Sequence, residues 1–294
     1  MHTPSLKTVD QEPVEIRHPQ DWRLPLVFAS PHSGRCYPER FCRSSRLDRL
    51  SLRRSEDAFV DEIFACVPDL GAPLLLAHFP RAYIDPNREA FELDPQMFEG
   101  ALPDYVNTNS PRVGAGLGTV PRVVTSGEEI YSGKLDFDQT KSTIETLYMP
   151  YHTALQELLD QAARRFGGCL LVDCHSMPSI GGPMDRDPGF RRVDFVLGDR
   201  HGVSCDGQLT DLVEHTFKQM DYVVTRNTPY AGGFTTAHYG RPSKARHALQ
   251  IEINRALYMD ELRVERGHGL AKLQDDMRTL VKHLGRIDPQ TLAP

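Results

Sequence analysis

The sequence lacks the features that mark several classes of protein. None of its apolar runs approaches the roughly 18 to 20 residues that a membrane helix requires, and the N-terminal segment has no apolar core resembling a signal peptide. Lysines and arginines are scattered rather than gathered into runs, and the formal net charge is -6, which argues against binding to a phosphate backbone. We therefore expect a cytoplasmic protein that binds neither membranes nor nucleic acids.

Cysteine is also scarce. The six cysteines form no CxxC pair and show no regular spacing, in a chain of 294 residues that is too long to depend on disulfides. We predict reduced thiols, none of which has a convincing base partner for a cysteine hydrolase. Cys174 adjoins a candidate site residue, but side chains alternate along a strand, so its thiol should point into the core.

What the chain does contain is an alternation of apolar runs with helical patterns, without internal repeats or linkers. Several runs are apolar on both faces, as in a covered sheet. The order predicts a single α/β domain over 1–294, with a core over about 24–284 and a twisted, mixed but mostly parallel sheet with helices on both faces. The predicted strands span 24–30, 73–79, 169–175, 194–198, 222–225 and 248–253, and the predicted helices span 55–67, 137–166, 207–220 and 262–284.

One connection in this pattern is unusually long. The segment 89–126 is rich in proline, glycine and asparagine and has no clear hydrophobic period. Long irregular segments inside compact domains are commonly functional loops. We predict that it covers a site.

Two of the apolar runs lead into a histidine, at the edge of the sheet where ligands collect in open α/β folds. His32 follows the first run, and His175 ends the third. Two imidazoles at neighbouring strand ends would give zinc two nitrogen ligands, leaving a carboxylate and an open position for water to be supplied. Asp173 lies on the same strand face as His175 and would orient it. The alternative interpretation is two unrelated polar residues.

The carboxylate ligand is sought in SEDAFVDEIF, where the candidates are Glu56, Asp57 and Asp61. These acids have an alternative role, because Ser55 is suited to cap a helix and acidic residues stabilise its first turn. Asp57 and Asp61 would share one face of that helix, since they are four residues apart. We predict Asp57 as the ligand and keep Asp61 as the alternative.

Glu252 is the candidate general base. In ALQIEIN the apolar residues alternate with Gln250, Glu252 and Asn254, so that Glu252 projects with polar neighbours from one strand face. A solvent-facing strand position would explain this pattern. However, a late strand in a covered sheet should be apolar on both faces, and a buried carboxylate there needs a partner or a function.

With these residues in view, the chain resembles the N-formylglutamate amidohydrolase family, which is itself similar to the zinc carboxypeptidases and the aspartoacylases. The resemblance covers about residues 29–261. It rests on SPHSGRCYP, SEDAFVDEIF, RAYIDPNR, IYSGKL, YMPYHTAL, LVDCHSMPS, GDRHGVSCD, PYAGGFTTAHYGRP and ALQIEINRALYMDE. It implies a zinc-carboxypeptidase-like fold and one zinc ion per chain. One departure is Arg35, which stands where carboxypeptidases have the ligating glutamate three positions after the first histidine.

By this resemblance His32 and His175 become zinc ligands and Glu252 activates water, while Asn87 and Arg88 bind substrate or polarise its carbonyl. The implied reaction cleaves N-formyl-L-glutamate, or a related N-acyl amino acid, to formate and L-glutamate, a step of histidine degradation. Zinc would lower the pKa of the attacking water, and Arg88 would stabilise the oxyanion. A deacylase or small peptidase with another substrate, and a catalytically silent ligand-binding relative, remain alternatives.

A substrate with carboxylates favours planar, forked cations in its site. The arginines in or near the predicted site segments are Arg81, Arg88, Arg112 and Arg122. The predicted substrate-binding set is Asn87, Arg88, Arg81, His238 and Tyr131. Tyr239, like Tyr131, could donate a hydrogen bond, although packing is the commoner role of such residues. His152 is interpreted as a core or surface histidine within a long helix. We expect a monomer or a homodimer.

Overall fold

The structure is a computed structural model that describes residues 12–183, 185 and 187–293. Its centre is a seven-stranded sheet with the strand order β1-β3-β2-β4-β7-β5-β6. The strands are β1 Val14–Arg17, β2 Leu26–Ser30, β3 Leu74–Ala77, β4 Cys169–Met177, β5 Phe195–Gly198, β6 Val224–Arg226 and β7 Arg246–Asn254. A separate hairpin pairs β8 Met259–Asp260 with β9 Glu265–Arg266.

The sheet is mixed and mostly parallel, which confirms the predicted fold class. Strands β3, β2, β4 and β7 run parallel to one another at its centre. β1 is antiparallel to β3, and β5 is antiparallel to β7 with β6 parallel beside it. All six predicted strands form, with ends displaced by at most two residues. β1 is missing from the prediction because its four half-buried residues carry little apolar signal.

Helices cover both faces of the sheet. They are α1 Glu39–Ser44, α2 Arg49–Arg53, α3 Val60–Ile63, α4 Pro111–Gly114, α5 Phe137–Thr143, α6 Met149–Phe166, α7 Gly207–Gln219, α8 Phe234–Tyr239 and α9 Leu270–Leu284. Short 3-10 turns lie at Pro68–Leu70, Pro95–Met97, Pro242–Lys244, Arg255–Leu257 and Pro289–Leu292. None of the described helices is long and apolar enough to cross a membrane.

Three predicted helices differ from the observed ones. The helix predicted over 55–67 is only α3, because Phe59 adopts a left-handed conformation with φ 66° and prevents an earlier start. The helix predicted over 262–284 begins at Leu270, because the hairpin of β8 and β9 occupies the residues before it. The helix predicted over 137–166 forms, but Ile144–Tyr148 is a π-helix just ahead of Pro150, whose ring and missing N–H disfavour regular α-helix.

The two faces of the sheet support two apolar cores. Leu170, Val172 and Cys174 of β4 point into the core that contains residues of α3, α7 and α9, which confirms the predicted place of Cys174. Leu171 of the same strand points into the core that contains residues of α6, as does Ala248 of β7. Nearer the carboxyl ends of β4 and β7, this second face changes from apolar to polar. The buried polar residues there are Asp173, His175, Gln250, Glu252 and Asn254.

The first core is tested by Leu249→Ala in the central strand β7, where the leucine is fully buried. We expect this change to lower the free energy of unfolding by about 2 to 5 kcal/mol, since it leaves a cavity that the packed strands cannot close. Leu262→Ala, at a leucine that is 74% exposed, is the matched control and should cost less than about 0.5 kcal/mol. Urea unfolding of both variants provides the measurement, and equal costs would contradict the placement of Leu249.

Candidate active site

Three potential ligand atoms converge at the carboxyl edge of the sheet. Nδ1 of His175 lies 3.1 Å from Nδ1 of His32 and 3.1 Å from Oδ2 of Asp57. Nδ1 of His32 lies 3.2 Å from the same oxygen, and all three side chains are buried. Ligand atoms around a tetrahedral zinc ion with bonds of about 2.0 to 2.1 Å stand about 3.3 to 3.4 Å apart. The three residues therefore form a candidate metal-binding triad of suitable size.

The backbone brings these residues together by two routes. β2 and β4 are parallel neighbours, so His32, just beyond β2, and His175, near the end of β4, reach the same edge. Asp57 arrives through a backbone bond, because its N–H donates to the carbonyl of His32 at 2.9 Å. The left-handed turn at Phe59 ends the irregular stretch that carries Asp57. Asp57 thus owes its position to the absence of the helix that the sequence predicted there.

The other two acids of this segment have different partners. Asp61, on α3, pairs instead with Arg35 at 3.0 Å. Glu56 accepts hydrogen bonds from Tyr37 and Arg53. The structure therefore places Asp57, rather than Asp61 or Glu56, beside the two histidines.

Asp85, which was not predicted as a site residue from the sequence, orients His32. The Nε2–H of His32 donates to Oδ1 of Asp85 at 2.7 Å, which leaves the lone pair of Nδ1 facing the other two ligand atoms. The same oxygen accepts the N–H of Asn87, and Arg81 donates to Oδ2 at 2.9 Å. Although burial opposes its ionisation, the charges of His32 and Arg81 hold the pKa of Asp85 well below its usual value. Such carboxylate–histidine pairs are typical supports of metal ligands.

Asp173 stands beside His175 as the sequence predicts. Its Oδ2 lies 2.9 Å from Nε2 of His175, although neither of its oxygens is aligned for a hydrogen bond with a described residue. Burial disfavours the imidazolium form of His175, yet Asp173 and Asp57 outweigh burial and raise the pKa of His175 well above its usual value. The negative field that favours a proton here equally favours a metal cation.

Arg255 fixes the far oxygen of Asp57. Its Nη2 donates to Oδ1 of Asp57 at 3.0 Å, its Nε donates to Oγ of Ser176 at 3.1 Å, and Ser176 donates to Oδ1 at 3.3 Å. Oδ2 is thereby turned toward the histidines. The sequence analysis assigned Arg255 no role, although it follows directly on Asn254 at the end of β7.

Glu252 lies next to the triad, opposite His175 in the pairing of β4 with β7. Gln250 donates to its Oε1 at 2.9 Å, and the Oε1 of Gln250 accepts the N–H of Gly233 at 3.0 Å. Burial raises the pKa of Glu252 to about 7, against the opposing charge of His175. A buried carboxylate with such a pKa is suited to accept and return a proton near neutral pH.

These side chains line a cavity of about 400 Å³, within the range of small-molecule sites. His32, His175 and Glu252 share it with Asn87 and the arginines described below. The segment 89–126 forms part of its wall, so this long loop adjoins the candidate site. Its contributing residues are Arg112, Leu117, Pro121, Val123, Val124 and Thr125.

Helix α6 and the π-helix before it hold the turn that carries the Asn-Arg pair. Tyr148 donates to the carbonyl of Arg88 at 2.7 Å, and Nε2 of His152 donates to the carbonyl of Pro86 at 2.9 Å. Tyr239 in turn donates to Nδ1 of His152 at 2.8 Å. Burial lowers the pKa of His152 to about 4, so it acts as a neutral support. His152 and Tyr239 therefore position the turn from outside the cavity.

Besides Tyr239, three residues that the sequence offered as candidates near the substrate do not line this cavity. Tyr131 packs against Phe41 in a separate small cavity, because the apolar interior attracts its ring. His238 is exposed on α8, where it stacks on Phe234. Arg122 pairs with a carboxylate of its own segment at 2.8 Å. Among the other predicted residues, Asn87, Arg88, Arg81 and Arg112 do line the cavity.

Comparison with known proteins identifies the family. The family model of N-formylglutamate amidohydrolase matches residues 24–259. The chain belongs to this family. It is 30% identical over 243 residues to an N-formylglutamate deformylase of Pseudomonas putida, covering 81% of this chain and 83% of that protein. Its relatives indicate that this member of the N-formylglutamate amidohydrolase family is a hydrolase acting on an amide.

Solved structures agree with this assignment. The crystal structure of an N-formylglutamate amidohydrolase from Ralstonia eutropha JMP134 is 39% identical, with a TM-score of 0.85, and the match covers 92% of this chain and 96% of that one. A gene product of Agrobacterium tumefaciens matches over the same shares at 18% identity and a TM-score of 0.65. The second likeness supports the fold alone.

The position of Asn87 is tested by Gly233→Ala. A Cβ at Gly233 would lie 2.4 Å from both Nδ2 and Oδ1 of Asn87, so the amide group must move. We expect amide hydrolysis to fall by at least about tenfold, because small displacements of positioned groups are costly to catalysis. Gly207→Ala is the control, since a Cβ there meets nothing within 4 Å. Steady-state kinetics on both variants provides the measurement, and equal rates would contradict a working role for the position of Asn87.

Proposed function

We propose that this protein hydrolyses N-formyl-L-glutamate to formate and L-glutamate, or a closely related N-acyl amino acid to the corresponding carboxylate and amino acid, using one zinc ion held by His32, Asp57 and His175. The observation that carries the proposal is the triangle of three buried ligand atoms, with edges of 3.1 to 3.2 Å, on the floor of the cavity. Two imidazoles and one carboxylate are a common ligand set of catalytic zinc. The named relatives support the choice of substrate, and the reaction would serve histidine degradation in the cytoplasm.

The donor set fits a divalent cation chemically. Asp85 keeps the Nδ1 lone pair of His32 available, and Arg255 keeps Oδ2 of Asp57 pointing the same way. Two imidazoles beside Asp57 and Asp173 form a negative enclosure that a cation would neutralise. When bound, zinc would supply a Lewis acid that polarises the scissile carbonyl and lowers the pKa of water.

Glu252 is the proposed general base. Gln250 and the N–H of Gly233 hold its carboxylate in place beside His175. We assign it the proton of the attacking water, which it then returns to the amine of the departing amino acid. A positioned carboxylate that performs both transfers typically contributes two to four orders of magnitude in rate, roughly 10² to 10⁴.

Arg88 and Asn87 are the proposed substrate-binding pair. The Nε of Arg88 donates to the carbonyl of Leu117 and its Nη1 to the carbonyl of Asn87, and neither bond neutralises its charge. Oδ2 of Asp85 lies 3.9 Å from the Nε of Arg88, but Arg81 binds the same oxygen more closely, at 2.9 Å. Arg88 therefore faces the cavity as a fixed cation suited to a carboxylate or to the oxyanion of the reaction. Arg81, in contrast, binds Asp85 and serves the ligand support rather than the substrate.

Substrate and metal are tested together on the purified protein. We expect N-formyl-L-glutamate to turn over faster than its N-acetyl and N-succinyl analogues. Chelation should abolish turnover, and zinc should restore it at one ion per chain. The opposite substrate ranking would refute the choice of acyl group, and full activity in metal-free protein would refute the zinc site. Binding without turnover of any of the three compounds would indicate a catalytically silent relative.

The separate roles of ligand and base are tested by His175→Ala and Glu252→Gln. His175→Ala should lose both bound zinc and turnover, because it removes one corner of the triangle. Glu252→Gln should keep zinc and lose turnover by roughly 10² to 10⁴, because the amide cannot accept the proton. Elemental analysis and kinetics measure the two effects, with exposed His215→Ala as a control. An unaltered rate in Glu252→Gln would remove that residue from the mechanism.

A further inference from the structure

The charges that line the cavity are unevenly paired. Five arginines line it, namely Arg81, Arg88, Arg112, Arg200 and Arg255, against three carboxylates, namely Asp85, Asp185 and Glu252. Arg81 and Arg255 are occupied by Asp85 and Asp57, and Asp185 is occupied by Arg192 at 2.7 Å. Arg112 and Arg200 make no ion pair with a described carboxylate. The guanidinium groups of Arg112 and Arg200 are therefore available to bind a substrate that carries more than one negative charge.

Arg200 is held in an uncommon backbone conformation. Arg200 and His201 both adopt left-handed conformations, with φ of 53° and 58°, in the turn that follows β5. Asp199 and Asn227 hold this turn, because Oδ1 of Asn227 accepts the N–H groups of Asp199 and His201, while Oδ1 of Asp199 accepts the N–H of Gly202. Non-glycine residues in this region are strained and persist where the surrounding structure fixes them, often at ligand sites.

The same turn is connected to the substrate-binding pair. The N–H of Arg200 donates to the carbonyl of Ala231 at 2.8 Å, and its side-chain stem packs on Gly232, where a Cβ would lie 3.1 Å from Cγ. The next residue, Gly233, lies against the amide of Asn87. Two adjacent glycines thus separate Arg200 from Asn87. Arg200 is therefore placed to bind a second anionic group of a substrate that Asn87 contacts.

We propose that Arg200 is the specificity residue that binds the side-chain carboxylate of the amino-acid substrate. This inference rests on the proposed function. Asn87 and Arg88 then take the carboxylate next to the scissile amide. The planar guanidinium offers two parallel N–H donors to a carboxylate, so the residue selects an acidic side chain over its neutral amide. Arg112 is the competing candidate and is exposed, as Arg200 is, but it lies in the single turn of α4 without the left-handed backbone that distinguishes Arg200.

The test compares N-formyl-L-glutamate with N-formyl-L-glutamine, which has the same shape without the charge. Arg200→Gln should lower kcat/KM for N-formyl-L-glutamate by about 10- to 100-fold, mainly through KM, as expected for the loss of a charge-assisted hydrogen bond. Turnover of N-formyl-L-glutamine should change little. Arg200→Lys should recover part of the discrimination, since it keeps the charge without the fork. Arg263→Gln is the control, because this side chain is 73% exposed and does not line the cavity.

The outcomes separate this assignment from the proposed function. Equal losses on both substrates in Arg200→Gln would show a structural role and overturn the assignment. So would loss of discrimination in Arg112→Gln together with its retention in Arg200→Gln. If the wild type hydrolyses neither substrate, the proposed function fails and the assignment fails with it. An active wild type that discriminates between the two compounds, with discrimination lost in Arg200→Gln, supports both.

Discussion

Because β2, β4 and β7 lie side by side and run parallel, the residues at their carboxyl ends must meet at one edge of the sheet. This pairing places His32, His175 and Glu252 together although more than two hundred residues separate the first from the last. The register is equally important, since a shift by one residue would turn His175 and Glu252 to the opposite face, into the core beside α7 and α9. The candidate site thus depends on backbone hydrogen bonds that are themselves buried and well protected.

The site collects charges that are expensive to bury. Asp57, Asp85 and Asp173 lie at 4% exposure or less, where an unpaired carboxylate would be strongly destabilising. Asp57 and Asp85 are compensated by arginines and imidazoles, whereas Asp173 has, among the described residues, only the adjacent ring of His175. Such a concentration of incompletely compensated charge is a poor way to stabilise a fold. A cation bound among these carboxylates would offset the negative charge that the neighbouring arginines and imidazoles do not neutralise.

The sequence predicted those parts of the molecule that local patterns encode. Apolar runs identified six strands, and the polar residues near the carboxyl ends of these strands pointed to the two histidines that lie beside Asp57 and to Glu252 opposite His175. Asp85 and Arg255 were missed because they act on His32 and Asp57 through contacts between segments far apart in sequence. Tyr131 and His238 were misplaced for the same reason, since the sequence does not reveal where a loop or a short helix turns its side chains. The false helix over 55–67 shows the limit of periodicity, because the left-handed Phe59 leaves no signal in the pattern.

The triad and Glu252 lie on a different kind of structure from the groups suited to binding the substrate. The triad and Glu252 are held by strands or by backbone bonds to them, so their relative positions are rigid. The groups suited to binding the substrate lie instead on loops and turns, namely the turn at Asn87, the segment 89–126 and the strained turn at Arg200. Loops tolerate substitution and insertion better than a buried sheet does. A change of substrate within this fold is therefore expected to alter these loops rather than the strands that hold the triad and Glu252.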